Sequence, residues 1–170
     1  MFLPPLIKMQ EWHLLFSIQL DGRSMRTFYS LVAEREDTVI FIQDEEGGIF
    51  GSYTAAAWHQ GASFYGSGES CFVFNYVRTE LAKKAATDPP KFLTENINVF
   101  DPSYVNHRYQ HSDLKSITLG ASEDGSSAIY IGDEFRKGYT SANDTFTNPQ
   151  LTKHKDFSIV KLEVWGFDEL

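Results

Sequence analysis

The sequence predicts an α+β fold that is mainly β: two antiparallel sheets packed as a sandwich and flanked by a few short helices. Three observations predict it. Trp12, Leu14, Phe16, Ile18 and Leu20 fall on one face of an alternating run, with His13, Ser17 and Gln19 on the other. That is the period-2 pattern of a half-buried strand. Short β-branched and aromatic runs recur along the chain with turn residues between them, as antiparallel sheets require. Between Phe157 and Phe167, Val160, Leu162 and Val164 share one face while Ile159 and Trp165 share the other. Apolar groups on both faces place that strand centrally.

The remaining elements follow in order. Asp21-Gly22 ends the first strand, and Ser24 caps a short helix with Met25, Phe28, Tyr29 and Val32 at helical spacing. Thr38 to Ile42 and Ile49 to Tyr53 form a hairpin across Gln43-Asp44-Glu45-Glu46-Gly47-Gly48, whose glycines can take positive φ. The carboxylates Asp44, Glu45 and Glu46 are expected to form a solvated turn. The Ala-rich stretch Thr54 to His59 suits one or two helical turns. Ser70 to Tyr76 reads as a strand, and Val77 to Ala86 as a helix stopped by Asp88-Pro89-Pro90. Lys91 to Lys115 is mixed in polarity, with short strands and turns. Ile117 to Leu119 and Ala128 to Ile131 flank the turn Glu123-Asp124-Gly125-Ser126. No repeat or linker interrupts the pattern, so residues 1–170 are expected to form one domain with its core at about 3–167.

Composition narrows the function. Of 170 residues, 42% are hydrophobic and 15% aromatic, enough to offset chain entropy on folding. The net charge is −8. Phosphate contacts need clustered Lys and Arg, and the longest basic clusters are the pairs Lys83-Lys84 and Arg136-Lys137, so a nucleic-acid partner is excluded. Cys71 is the single cysteine, which forbids an intrachain disulfide and fits a reducing compartment. Met1 to Ile7 is broken by Pro4 and Pro5 and lacks the build of a signal peptide. No apolar run reaches the roughly 20 residues of a membrane helix. Asn143-Asp144-Thr145 matches a glycosylation acceptor, which carries little weight without an export signal. A cytoplasmic monomer with no integral membrane segment is expected.

Several motifs invite chemistry. Gly66-Ser67-Gly68-Glu69-Ser70 is not a phosphate loop, because Gly-Lys-Ser/Thr is missing, and Cys71 stands where a dinucleotide fingerprint needs its third glycine. Nor is it a nucleophile elbow, since the serine falls at the wrong step. It reads as a tight turn feeding a strand, with Glu69 accepting hydrogen bonds from turn amides. His107 and His111 have the spacing of a helical pair. Zinc needs more ligands, and Arg108 holds the place of the metalloprotease glutamate. Cys71 lies among Phe72, Val73 and Phe74, a setting for a buried thiol rather than a redox centre. No metal site, cofactor or catalytic residue is assigned.

Beyond single motifs, an ordered set of residues is distinctive. It runs through Leu14-Leu15-Phe16-Ser17, Asp21-Gly22, Ser24, Ile49-Phe50-Gly51, Tyr53 and Trp58. It continues with Phe64 to Ser70, Phe72-Val73-Phe74, Gly120, Ala128 to Ile131, Gly138, Thr145-Phe146, Asn148, Leu151, Phe157 and Leu162-Glu163-Val164-Trp165. In this order the sequence resembles the TLDc domain of the oxidation-resistance and TBC-TLDc proteins, over about Leu3 to Phe167. The resemblance marks Gly66, Gly68, Glu69, Ser70, Thr145, Phe146, Glu163 and Trp165 as motif residues, structural or functional, with no agreed catalytic group. It implies a eukaryotic protein-interaction domain that confers resistance to oxidative stress. It further implies a protein partner, the vacuolar-type proton-pumping ATPase, and recruitment to organelle membranes through it. Family members carry a longer helical segment before the Leu3-Pro4 position. A cysteine common two residues before the Thr145 position is Asn143 here. The alternative is an enzyme, a hydrolase or peroxide-consuming protein using Glu69 or Cys71. The many aromatics are expected to pack between the two sheets.

Overall fold

Eleven elements follow one another in the computed structural model, which describes residues 3, 10–77 and 97–167. They are β1 (Trp12–Ser17), α1 (Met25–Val32), β2 (Thr38–Asp44), β3 (Ile49–Thr54), β4 (Cys71–Tyr76), β5 (Ile97–Phe100), β6 (Gln110–Ser112), β7 (Ile117–Ala121), β8 (Ser127–Gly132), β9 (Lys137–Tyr139) and β10 (Asp156–Phe167). The helix expected at Val77 to Ala86 falls almost wholly on residues outside those described.

All pairings are antiparallel, and β10 joins two sheets. Its first residues pair with β9, from Asp156 with Tyr139 to Ser158 with Lys137. Its later residues pair with β2 on one edge and β1 on the other. One sheet therefore runs β5-β4-β3-β2-β10 and ends on β1; the second runs β6-β7-β8-β9 onto the start of β10. A register shift between Ile159 and Lys161 marks the passage from one sheet to the other. An extra residue there bends the strand and reverses which side chains face inward. Phe157, Ile159, Leu162 and Val164 all enter the main core, while Val160 is 46% exposed. The expected facing of Val160 with Leu162 and Val164 is corrected by that shift.

The same device shortens β1. A register shift between Leu14 and Phe16 breaks the alternation. The chain turns after Ser17, so Ile18 is buried beyond the strand and Leu20 is 75% exposed. α1 forms as its pattern predicts. The Ser24 hydroxyl accepts from Thr27 N at 3.3 Å, satisfying one of the free amides of the first turn. Met25, Phe28, Tyr29 and Val32 face the core, and burying such side chains stabilises by about 1.5–3 kcal/mol each.

The hairpin of β2 and β3 forms in the expected place, with Gly47 at φ +82°. Its turn is not simply solvated. Asp44 is buried and its Oδ1 accepts from Glu46 N at 3.0 Å and Gly48 N at 2.7 Å. Glu45 accepts from Ser158 N, and Glu46 pairs with Lys153. Residues 55–56 bend and residues 57–59 are irregular, so the expected helical turns do not form. Trp58 is drawn inward because its Nε1 donates to Thr38 Oγ1 at 2.9 Å inside the core.

Aromatic packing takes two places. Phe16, Phe28, Phe50, Trp58, Phe146 and Phe157 lie between the sheets with the aliphatics of β2, β7 and β8. Tyr53, Phe72, Phe74 and Phe167 lie on the opposite face of the first sheet, with Val39, and Leu3, Phe41, Ile97 and Val99 pack against them. The expectation that Tyr53, Phe72 and Phe74 fill the space between sheets is therefore corrected. A strand turns successive side chains to opposite faces, and β3 and β4 are apolar on both.

Candidate functional site

The glycine turn is ordered by serine. Ser67 caps a single 3₁₀ turn, Gly68–Ser70, its hydroxyl accepting from Glu69 N at 3.2 Å. Glu69 itself is exposed. The expected role of its carboxylate as acceptor for the turn amides is corrected: the Ser67 hydroxyl takes Glu69 N, and the Ser67 carbonyl takes Ser70 N. Gly66 sits at φ +94°, a region that disfavours side chains. Gly68 is buried beneath Tyr104 and Tyr109, and the Tyr104 hydroxyl donates to its carbonyl at 3.2 Å.

Cys71 opens β4 and is 7% exposed. It lines a small pocket of about 180 Å³ together with Glu69, Asp101 and Tyr104. Burial, aided by the charge of Asp101, pushes its thiol up to about 12. Neighbouring Tyr53 is also raised by burial and by donating to Asp37 Oδ1 at 2.6 Å. A nucleophilic thiol needs its thiolate, and this thiol is held protonated at neutral pH.

Thr145 and Phe146 meet the glycine turn through residues 101–109. Thr145 is fully buried; its hydroxyl accepts from Ala121 N at 3.2 Å and donates to Asn106 Oδ1 at 3.1 Å. Ser103 N donates to Thr145 O at 2.8 Å. Phe146 lies against Gly120 and 6.4 Å from the Tyr109 ring. Asn143 is buried. It donates to Ser122 Oγ at 2.9 Å and accepts from Thr145 N at 3.0 Å. A glycosyl acceptor must be exposed, so this sequon is closed.

Glu163 and Trp165 belong to a different place. Trp165 Nε1 donates to Glu163 Oε2 at 3.0 Å, and Lys161 pairs with Glu163 at 2.8 Å. Both residues line an open apolar groove of about 520 Å³ on the outer face of the first sheet, with Trp12, Phe41 and Phe74. Trp12 packs 4.7 Å from Phe167 and 6.3 Å from Phe41. His107 and His111 do not share a helical face: His107 lies in the loop before β6, and His111 within β6 beside Phe64. Among the described residues no group of three or more His, Cys, Asp or Glu is placed to hold a metal ion. No helix among them is long and apolar enough to cross a membrane.

The motif residues thus form two groups. One is a buried junction where the glycine turn, residues 101–109 and Thr145–Phe146 interlock. The other is the Glu163–Trp165 rim of the outer groove. Both lie within residues 1–168, which match the TLDc domain. This chain belongs to the TLDc domain family. Among curated TLDc relatives, MTOR-associated protein MEAK7 of Mus musculus is 27% identical over 95% of this chain and 33% of its own length. GTPase-activating protein skywalker of Drosophila melanogaster is 29% identical over 98% of this chain and 28% of its own length. Oxidation resistance protein 1 of Podospora anserina is 25% identical over 91% of this chain and 53% of its own length. The TLDc chain therefore spans about a third or less of the first two relatives and about half of the third. Residues 101–109 were the part of the junction that motif reasoning missed. Tyr104, Asn106 and Tyr109 stand in a stretch without periodicity, and their tyrosines were the only signal of a packed role.

Proposed function

We propose that this TLDc domain is a protein-interaction module of the oxidative-stress response. In this reading it works by associating with and regulating the vacuolar-type proton-pumping ATPase, from the cytoplasmic side of organelle membranes. The observation that carries the reading is the state of Cys71, buried and held protonated. It supports protection through a partner over consumption of peroxide by the chain's own thiol. The match to an oxidation resistance protein over 91% of the chain supports the stress-response setting. The exposed position of Glu69, with its turn ordered by Ser67, gives no support to a hydrolase built on that carboxylate. The test pairs two measurements. The purified chain is immobilised and offered the soluble sector of the proton pump, and Cys71→Ala is scored for protection of cells against peroxide. Retention of pump subunits with full protection by Cys71→Ala is expected. No retention, or protection lost in a variant with an unchanged melting temperature, overturns the reading.

A further inference from the structure

We draw no further inference here: the strongest candidate, the open apolar groove on the outer face of the first sheet lined by Trp12, Phe41, Phe74 and Trp165, carries none because nothing in the structure shows what covers it.

Discussion

The Tyr109 hydroxyl stands 2.6 Å from the position a Cβ on Gly68 would occupy. Tyr104 closes the same space from the other side at 2.8 Å. Gly68 is therefore required by close approach, not by its backbone angles, and the glycine turn and residues 101–109 are fitted to each other. Gly68→Ala must push Tyr109 out of a site where it is almost fully buried. It is expected to lower stability by about 1–3 kcal/mol, the usual cost of overpacking a closed site. A shift of the urea midpoint with an unchanged slope checks it. Tyr104 is more exposed and can move, so Gly68→Ala with Tyr109→Phe should recover part of the loss.

The turn itself separates Ser67 from Glu69. Ser67 Oγ holds Glu69 N, and the Glu69 carboxylate is exposed. Ser67→Ala is expected to cost about 0.5–1 kcal/mol, as loss of a capping acceptor does. Glu69→Ala is expected to stay within about 0.5 kcal/mol, as exposed substitutions usually do. Thermal unfolding of both variants compares them directly. A Glu69→Ala loss larger than that of Ser67→Ala would return the turn to glutamate.

What was legible in the sequence was local. Ser24 and the spacing Met25, Phe28, Tyr29, Val32 lie within one helix, so pattern alone finds α1. The β2–β3 hairpin is likewise written in two short runs and a glycine turn. What was not legible depends on distant partners. The bend of β10 at Ile159 exists because one strand must serve two sheets, and nothing near Ile159 in the sequence announces it. Asp44 looks like any turn carboxylate until the amides of Glu46 and Gly48 close on it. Residues 101–109 have no period because their order comes from Gly68, Thr145 and Phe146.

Cys71 gives a pH-dependent signature. Its ordinary value is 9.0, and burial in the folded chain raises it to about 12. The folded state thus keeps a proton that the unfolded chain releases. The stability from this group is complete below pH 9 and declines as pH rises from 9 through about 12. Tyr29, raised by burial from 10.0 to about 12, adds loss in the upper part of that window. Urea titrations from pH 8 to pH 11 should show falling midpoints for the wild-type chain and a shallower fall for Cys71→Ala. At pH 8, thiol labelling of the native chain should proceed only through opening, and should speed up in parallel with unfolding as urea is added.

Arg23 holds the bend of β10 to the turn after β8. Its guanidinium donates to the carbonyls of Phe135 and Ile159, the latter at 2.9 Å. Ile159 N in turn donates to Arg136 O at 2.8 Å. The turn it secures is costly. Asp133, Glu134 and Phe135 have φ of 48°, 49° and 61°, three successive left-handed residues without a glycine. Phe135 offsets that cost by packing 5.3 Å from Phe16 and 5.6 Å from Phe28 in the closed core. Two opposite substitutions test the balance. Glu134→Gly relieves an exposed left-handed residue and gives up only a solvated pair with Arg136. It is expected to change stability by about +0.5 kcal/mol, since glycine removes the strain but adds freedom to the unfolded chain. Arg23→Lys cannot span two carbonyls with one ammonium and is expected to cost about 1.5–3 kcal/mol, as loss of a charged hydrogen bond does. If Arg23→Lys were neutral while Glu134→Gly destabilised, the turn would be held by its own backbone and not by the clamp.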